Sequence, residues 1–310
     1  KNYFFKMSNF QQQLRRNIKN KSDFIRPESR RNEVLGFLER PLGDLCVSRP
    51  KARLAWGIPL PFNPGYVTYV WVDALVNYIS AVGYTAESDR FNSTWPADYH
   101  LVGKDILTTH AVYWSTLLMA LELPLPKSLF AHGWWTVGGE KMSKSKGNVV
   151  DPNAIIDEFG VDAFRYFLLR EVPFGQDGNF SREALIQRYN SDLANDLGNL
   201  VSRTLTMIEQ FSGGIIPQAP FTRTANVSDI IQGLRDSLED VINRLEFHRA
   251  LGEIWKLVDR INRYIEEMAP WNLAKKKRDQ EKLETVLYTI AESLRFIATY
   301  LSPFMPNTTN

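Results

Sequence analysis

Hydrophobic and polar positions follow two different periods along the chain, and the period changes near residue 135. Before that point, short β-branched and aromatic runs alternate with helical stretches. The runs predict strands at 66–72, 99–103 and 129–133, and the stretch 104–123 predicts a helix that Pro124 ends. Strand, helix and strand of these lengths indicate a right-handed βαβ unit with a parallel sheet, which is a Rossmann-like α/β arrangement.

Beyond residue 150 the period is that of α-helices. Pro152 begins a predicted helix that ends at Gly160, and a second helix covers 161–170. Long amphipathic stretches follow at 182–211, 228–266 and 281–301. Helix-breaking residues separate them, at Gly213, Gly214, Pro217 and Pro220 and again at Pro270. An α-helical bundle is the simplest arrangement of such helices.

The composition is that of a globular protein with sizeable cores, since 44% of the 310 residues are hydrophobic and 12% are aromatic. A single cysteine, Cys46, excludes a disulfide framework and a thiolate zinc site within the chain and predicts a reducing compartment. We expect Cys46 itself to lie in the core. The longest apolar runs, 67–72 and 115–121, are far too short to cross a membrane, and the first residues lack a secretory pattern. We therefore expect a soluble intracellular protein, and its start without methionine indicates a missing upstream segment.

The charge distribution limits how this chain can bind nucleic acid. A net charge of +2 argues against binding by bulk electrostatics. Residues 1–31 carry nine basic and two acidic side chains, whereas 16 basic and 17 acidic side chains follow from Ser181 onward. An RNA ligand would therefore be recognised through local patches and shape.

The most specific candidate chemistry lies in one loop, the octapeptide Lys-Met-Ser-Lys-Ser-Lys-Gly-Asn at 141–148. Its three lysines are mobile point charges that suit the charge developing on a leaving pyrophosphate. Gly138, Gly139 and Gly147 allow the segment to change conformation. The alternative is a solvated surface loop, which is the commoner role of such a composition.

Candidate ligand contacts also gather where the predicted parallel strands end. Ligands of such sheets bind at the carboxyl ends of strands, where Gly103 and His132 lie. Asp105 can accept the hydroxyls of a ribose, or it can simply cap the first turn of a helix. His110 lies farther along that helix with Trp114 on the same face, although a lone helical histidine is more often structural.

Aromatic side chains are frequent near these strand ends. Trp71, Ala74 and Tyr78 are spaced to approach one surface where the chain leaves a predicted strand. A pocket lined with rings suits an apolar, polarisable ligand such as a thioether, whereas a core is the ordinary reason for such spacing.

The helical part offers three candidates for contact with RNA bases. Asn199 and Arg203 lie one helical turn apart and present an amide and a guanidinium, and Trp271 follows Pro270 at a helix break where an indole can stack. Each residue alone is ordinary, because surface Asn and Arg are usually solvated and Trp is usually buried. Their interest depends on their lying near one another.

Read in order, these motifs resemble the methionyl-tRNA synthetases of the class I aminoacyl-tRNA synthetase family. The resemblance extends from Tyr3 to about Pro303 and is carried by His110, Trp114 and the segments 69–78, 100–106, 131–134, 141–148 and 269–271. Isoleucyl, valyl and leucyl enzymes share the lysine loop, but the Trp71 segment with His110 favours methionine.

The resemblance implies a role for each candidate residue. The methionine pocket would be lined by Trp71, Ala74, Leu75, Tyr78 and His110, with Trp114 close behind. ATP would be bound by Gly103, Asp105, His132, Trp135, Lys141, Met142, Ser143, Lys144 and Ser145. Catalytic roles in activation would fall to Lys141, Lys144 and Arg49, and the CAU anticodon would be read by Asn199, Arg203 and Trp271.

The resemblance also implies which part of an enzyme this chain forms. Residues 1–50 would end a connective insertion, 51–135 would form the second half of the Rossmann-like catalytic domain, 136–180 would carry the lysine loop and a stem-contact region, and 181–310 would form the anticodon-binding bundle. ATP would come with Mg²⁺, and no zinc site would lie in this chain. The partners would be methionine, ATP, tRNA(Met) and the missing amino-terminal segment, in a cytoplasmic enzyme, with a mitochondrial one as the alternative.

Two features depart from the family pattern. Leu75 stands where some members have proline, which changes a pocket wall without requiring a new specificity. The His-Ile-Gly-His signature and the first half of the nucleotide fold are absent, so we expect the isolated chain to be inactive. Two alternatives stay open at this point, namely a class I synthetase for another aliphatic amino acid and a non-catalytic tRNA-binding fragment.

Overall fold

A computed structural model describes residues 1–218 and 227–310 of the chain. The chain forms two compact units, Lys1–Trp134 and Trp135–Asn310. Pro220, a predicted helix breaker, lies outside the described residues. In the described ranges, no helix combines the length and the apolar character that a membrane span requires.

The first unit is an α/β structure of short strands and helices. Its strands are β1 (Phe4–Phe5), β2 (Ile25–Arg26), β3 (Leu45–Cys46), β4 (Ser48–Pro50), β5 (Pro59–Leu60), β6 (Asn63–Thr68), β7 (Tyr99–Gly103) and β8 (Ser128–His132). Its helices are α1 (Gln11–Asn20), α2 (Glu28–Phe37), α3 (Val70–Ser80), α4 (Ser88–Thr94) and α5 (Ser115–Ala120). Single 3-10 turns cover Met7–Phe10 and Lys104–Ile106, and a π-helical segment covers Thr109–Trp114.

A parallel sheet with the strand order β2-β8-β7 lies in this unit. β7 and β8 pair without a shift from Tyr99 and Ser128 to Gly103 and His132, so the two strands end side by side. Four of the five residues of β8 are buried, as expected for a strand covered on both faces. The predicted strands at 99–103 and 129–133 and the α/β class are thereby confirmed.

Some local predictions in this unit are wrong. The strand expected at 66–72 ends at Thr68, and α3 begins at Val70, so Trp71 lies in the first turn of a helix. The run has strand propensity, but burial of Leu75 and Ile79 one turn apart gives the following residues a helical period, and packing overrides propensity. Cys46, expected in the core, is only partly buried because β3 pairs with β1 alone in a two-stranded ribbon.

The second unit is mainly helical. Its strands β9 (Trp135–Val137), β10 (Glu140–Lys141) and β11 (Gly178–Phe180) form a small sheet in the order β10-β9-β11. Its helices are α6 (Pro152–Phe159), α7 (Val161–Arg170), α8 (Arg182–Arg188), α9 (Asn199–Ser212), α10 (Val227–Asn243), α11 (Phe247–Met268), α12 (Pro270–Leu273) and α13 (Gln280–Leu301). A π-helical segment, Tyr189–Gly198, joins α8 to α9, and 3-10 turns cover Lys144–Lys146 and Lys277–Asp279.

The helical bundle is confirmed, but one predicted helix is two. The apolar faces of α9, α10, α11 and α13 share one buried cluster. The stretch predicted as a helix over 228–266 is divided at Leu245, whose φ of 59° is left-handed. The backbone N–H groups of Leu245 and Glu246 donate to the carbonyls of Ile242 and Val241, which ends α10 without glycine or proline. The sequence has no break signal there.

Candidate functional site

Tyr78 and His110 form a hydrogen bond whose direction is determined by their surroundings. The Tyr78 hydroxyl on α3 lies 2.9 Å from His110 Nε2, and His110 Nδ1 lies 2.9 Å from the carbonyl oxygen of Ile106. Because a carbonyl oxygen only accepts, Nδ1 carries the proton of the neutral ring. Nε2 therefore accepts the hydrogen of the Tyr78 hydroxyl, and the Tyr78 oxygen keeps its lone pairs for a further donor.

The Tyr78–His110 pair carries no formal charge at neutral pH. Burial lowers the pKa of His110 below its usual value, so the imidazole stays neutral. Burial also raises the pKa of Tyr78, so the phenol keeps its proton. A neutral polar pair among aromatic rings favours an uncharged, polarisable ligand over a charged one.

The predicted methionine residues occupy two layers of the first unit. Trp71, Ala74 and Tyr78 lie along one side of α3, and the Trp71 ring meets the His110 ring edge to face with 6.4 Å between centroids. These residues keep some accessible surface, apart from His110, which is buried. Leu75 and Trp114 are each only 1% exposed and belong to the core cluster under α3. Direct contact between a ligand and these two side chains would require movement.

The predicted ribose site lies at the end of β7. A Cβ atom added at Gly103 would lie 2.6 Å from Asp105 Oδ1, so the approach of the carboxylate requires glycine at position 103. Asp105 Oδ1 accepts a hydrogen bond of 3.3 Å from the indole Nε1 of Trp134. The Lys104 ammonium lies 4.2 Å from the centroid of the Trp134 ring. His132 ends β8 opposite Gly103, and its Nδ1 donates to the Gly133 carbonyl at 2.8 Å.

Arg49 is held in place by contacts within the first unit. Its Nη1 donates to the Ser48 carbonyl at 2.8 Å and lies 3.3 Å from Cys46 Sγ. Its guanidinium carbon lies 4.3 Å from the centroid of the Tyr69 ring. These contacts orient the guanidinium and leave it partly exposed.

The lysine loop of the second unit is closed by an asparagine. Asn148 Oδ1 accepts from the backbone N–H of Ser143 at 2.8 Å, and Asn148 Nδ2 donates to the Lys141 carbonyl at 3.3 Å. The Ser143 and Ser145 hydroxyls are 2.8 Å apart. The loop turns at Gly147, whose φ of 67° disfavours a side chain.

The lysines of this loop have different surroundings. Lys146 Nζ pairs with Glu140 Oε2 at 2.8 Å. Lys144 is exposed in the 3-10 turn, and its ammonium has no ion pair within residues 1–218 and 227–310. Lys141 lies at the end of β10 and is also exposed. Met142 and Trp135 are partly buried against a second apolar cluster of this unit, separate from the cluster of the helical bundle. This packing anchors the base of the loop.

Two of the three predicted anticodon residues, Asn199 and Arg203, line an open cavity of about 770 Å³ between the segment 195–203 and α11. Its walls carry carboxylates, amides and guanidiniums, from Asn195, Asp196, Asn199, Arg203, Asp259, Asn262, Arg263 and Glu266. Asn199 and Arg203 are both in this wall, and Arg203 Nη2 donates to Glu266 Oε1 at 2.6 Å. Burial, with the nearby Asp259 and Asp192, raises the pKa of Asp196. Trp271 lies in α12, is 38% exposed and is not in the cavity wall.

The sequence analysis assigns no role to His100, and it places Trp134 only among the aromatic residues near the strand ends. His100 lies under the Tyr78 ring, and Trp134 contacts both Lys104 and Asp105. A polar residue at the inward position of a buried strand was a signal for His100, because β7 alternates between exposed and buried residues.

No three His, Cys, Asp or Glu side chains within the described ranges lie close enough to hold a metal ion.

Comparison with known proteins shows the family. The family model described as tRNA synthetases class I (M) matches residues 1–205. This chain belongs to the methionyl-tRNA synthetase family. Methionine–tRNA ligase from Caldanaerobacter subterraneus is 56% identical over 310 residues, covering 99% of this chain and 48% of the relative. The Clostridium acetobutylicum ligase is 53% identical with the same coverages.

A solved structure agrees with this membership. Mycobacterium tuberculosis methionyl-tRNA synthetase in complex with methionyl-adenylate superposes with a TM-score of 0.95 at 42% identity, covering 99% of this chain and 61% of that chain. The chain thus spans about half the length of the curated relatives it matches. The family resemblance and the class I synthetase fold expected from the sequence are confirmed.

Proposed function

We propose that this chain is the carboxyl-terminal part of a methionyl-tRNA synthetase, which activates methionine with ATP and transfers it to tRNA(Met). The observation that carries the proposal is the neutral Tyr78–His110 pair beside Trp71. It combines a hydrogen bond of defined direction with aromatic surface and no formal charge, which suits a thioether side chain. The methionyl-adenylate bound by the M. tuberculosis relative supports the same substrate.

Selection of methionine follows from this chemistry. A thioether is flexible and makes favourable sulfur–aromatic contacts, whereas a branched aliphatic side chain does neither. Trp71, Ala74, Tyr78 and His110 would contact the side chain, while Leu75 and Trp114 would support them from the core.

The first reaction is an in-line displacement on the α-phosphate. A carboxylate oxygen of methionine attacks the α-phosphorus, the bond to the bridging oxygen breaks, and pyrophosphate leaves with the negative charge. Lys141 and Lys144 would stabilise that charge as the loop closes. Arg49 would assist activation, and Gly103, Asp105, His132 and Trp135 would hold the nucleoside, with Asp105 accepting ribose hydroxyls.

Mg²⁺ is expected to accompany ATP, because it neutralises phosphate charge in such reactions. The described residues include no group of three metal-binding side chains. They therefore form no site for a resident ion, and no step depends on one. Met142, Ser143 and Ser145 complete the loop that would close over the phosphates.

The second reaction transfers methionine to RNA. A hydroxyl of the terminal ribose of tRNA(Met) attacks the carbonyl carbon of the adenylate, and AMP leaves. Asn199 and Arg203 would read the edges of unstacked anticodon bases, and Trp271 would stack on one of them. The mixed charge of the cavity wall around Asn199 suits hydrogen bonding to base edges better than attraction to phosphate.

Amino-acid-dependent pyrophosphate exchange tests the proposal. The protein tested is the enzyme of full family length that contains this chain, the full-length enzyme. We expect exchange with methionine and little with leucine or isoleucine, and we expect none from the 310-residue chain alone. Comparable activation of leucine would support a synthetase for another aliphatic amino acid. Absence of exchange from the full-length enzyme, with retained tRNA binding, would support a non-catalytic tRNA-binding protein.

A further inference from the structure

His100 connects two aromatic side chains of the first unit. It lies on β7, is only 5% exposed, and packs against the ring of Tyr78 with 4.3 Å between centroids and 28° between planes. Its Nε2 lies 3.1 Å from the indole Nε1 of Trp114. No other described ring approaches Tyr78 as closely, since the rings of His110 and Trp114 lie 5.7 and 6.0 Å away.

The tautomer of His100 is determined by its partners. An indole N–H only donates, so His100 Nε2 accepts from Trp114 and the ring proton is on Nδ1. The backbone of Tyr99 acts on the pKa of this ring in the opposite direction to burial. Burial, followed by the neighbouring His110, lowers the pKa of His100 to about 4, so the ring is neutral at physiological pH.

Two histidines therefore restrain Tyr78 at different points. His110 holds the hydroxyl through a hydrogen bond, and His100 holds the face of the ring through stacking. A hydrogen bond at the hydroxyl alone leaves the ring free to tilt about that point, whereas a second contact on the face removes this freedom. The hydroxyl oxygen then keeps one orientation towards the ligand.

We infer that His100 is a positioning residue for methionine selection, which holds the Tyr78 ring by stacking and the Trp114 indole by a hydrogen bond. The inference rests on the proposed function, because it assumes that Tyr78 contacts methionine. An apolar ring in this space would leave the buried Trp114 N–H without an acceptor, whereas His100 accepts this hydrogen bond and also stacks on Tyr78. The polar ring instead links the strand, α3 and the π-helical segment at one point.

Two substitutions in the full-length enzyme separate the two contacts. His100→Gln places an amide oxygen where Nε2 accepts from Trp114 but removes the ring beneath Tyr78. We expect the methionine KM in pyrophosphate exchange to rise about tenfold, with the ATP KM changed less than about twofold. His100→Phe keeps a ring but leaves the Trp114 N–H unpaired, and we expect a rise in methionine KM of about threefold.

Ser128→Ala is the matched control. Ser128 is buried on the neighbouring strand β8, and its hydroxyl donates to the Asp23 carbonyl at 2.7 Å. Loss of this hydrogen bond should lower thermal stability while both KM values stay within about twofold of wild type. A rise in methionine KM equal to that of His100→Gln would show that any weakening of the sheet has the same effect, and would overturn the inference.

A double-variant cycle tests whether His100 acts through Tyr78. In a Tyr78→Ala background, His100→Gln should raise the methionine KM further by less than about twofold, because the side chain that it positions is gone. Fully multiplicative effects overturn the inference. If His100→Gln does not fold, His100→Phe decides alone, and an unchanged methionine KM overturns it. Wild-type enzyme without methionine-dependent exchange contradicts the proposed function itself, which is a different outcome.

Discussion

The predicted methionine pocket and the predicted anticodon cavity differ in the charge and the burial of the side chains that form them. The pocket on α3 is nearly uncharged, its histidines are buried, and each hydrogen bond has one possible direction. The cavity on α11 is open, and its wall mixes carboxylates, amides and guanidiniums. In the pocket the protein organises the polar groups before a ligand arrives, whereas in the cavity exposed side chains can rearrange around one.

This difference follows from burial. A polar group removed from water must have its partner in place, because an unsatisfied group costs free energy. An exposed ion pair such as Arg203–Glu266 competes with water at every moment and contributes little to stability. We therefore expect substitutions in the pocket to change specificity steeply and charge substitutions in the cavity to change stability very little.

The largest expected effect concerns the lysine loop, which acts on amino-acid activation and not on the anticodon. Lys141→Ala or Lys144→Ala in the full-length enzyme should slow adenylate formation by about tenfold to a thousandfold, because a positive charge near the leaving pyrophosphate is lost. Single-turnover rapid quench measures this rate. Lys127→Ala is the control, since this lysine lies outside the loop and its exposed pair with Asp98 should contribute little. Unchanged single-turnover rates in both variants would mean a plain surface loop.

Next in size is an effect confined to RNA recognition. Trp271→Ala should weaken aminoacylation by about 1 to 3 kcal/mol through loss of base stacking, while tRNA-independent methionine activation stays intact. Aminoacylation and pyrophosphate exchange are measured on the same preparation, with Leu205→Ala, a 60% exposed residue of α9, as control. Equal loss in both assays would indicate a core residue whose removal unfolds the bundle. Replacement of the CAU anticodon of the tRNA should also weaken aminoacylation by the wild-type enzyme.

The pH dependence of stability should separate the two regions. The pKa of His100 is lowered from 6.5 to about 4 in the folded chain. The neutral ring therefore makes its full contribution to stability above pH 6.5, and this contribution is lost as the pH falls towards 4. Between pH 7.5 and pH 5 this loss amounts to about 2 kcal/mol. Hydrogen exchange of the β7 amides in the 310-residue chain measures it. His100→Gln, which cannot titrate, should lose less stability over this range, and an identical pH profile would contradict the assignment.

The smallest expected effect lies in the cavity. Glu266→Gln removes an ion pair whose side chains are 37% and 62% exposed, so the free energy of unfolding should change by less than about 1 kcal/mol. Thermal unfolding of the chain measures it, with Glu253→Gln as the control, because Glu253 pairs with the exposed Lys256 within the same helix. A loss of several kcal/mol would show that the cavity, like the predicted pocket, depends on polar groups that are buried and paired.

Predictions from local pattern were accurate where local pattern decides the structure. The strands at 99–103 and 129–133, the helix begun by Pro152 and the break at Pro270 all lie where the sequence predicts them. The divided helix at Leu245 was not predictable, because hydrogen bonds to residues three and five positions earlier end it without a breaking residue. The strand at 66–72 failed because packing of Leu75 and Ile79 overrides β propensity.

The sequence by itself determined the order of the motifs, the change from α/β to helical period and the family. It could not separate every residue that faces a ligand from those behind it, since Leu75 lies in the core although it shares a motif with Trp71. It also could not show that His100 lies under Tyr78, 22 positions earlier in the chain. Tertiary structure decided these points because burial, stacking and tautomer depend on groups that are distant in sequence and close only after folding.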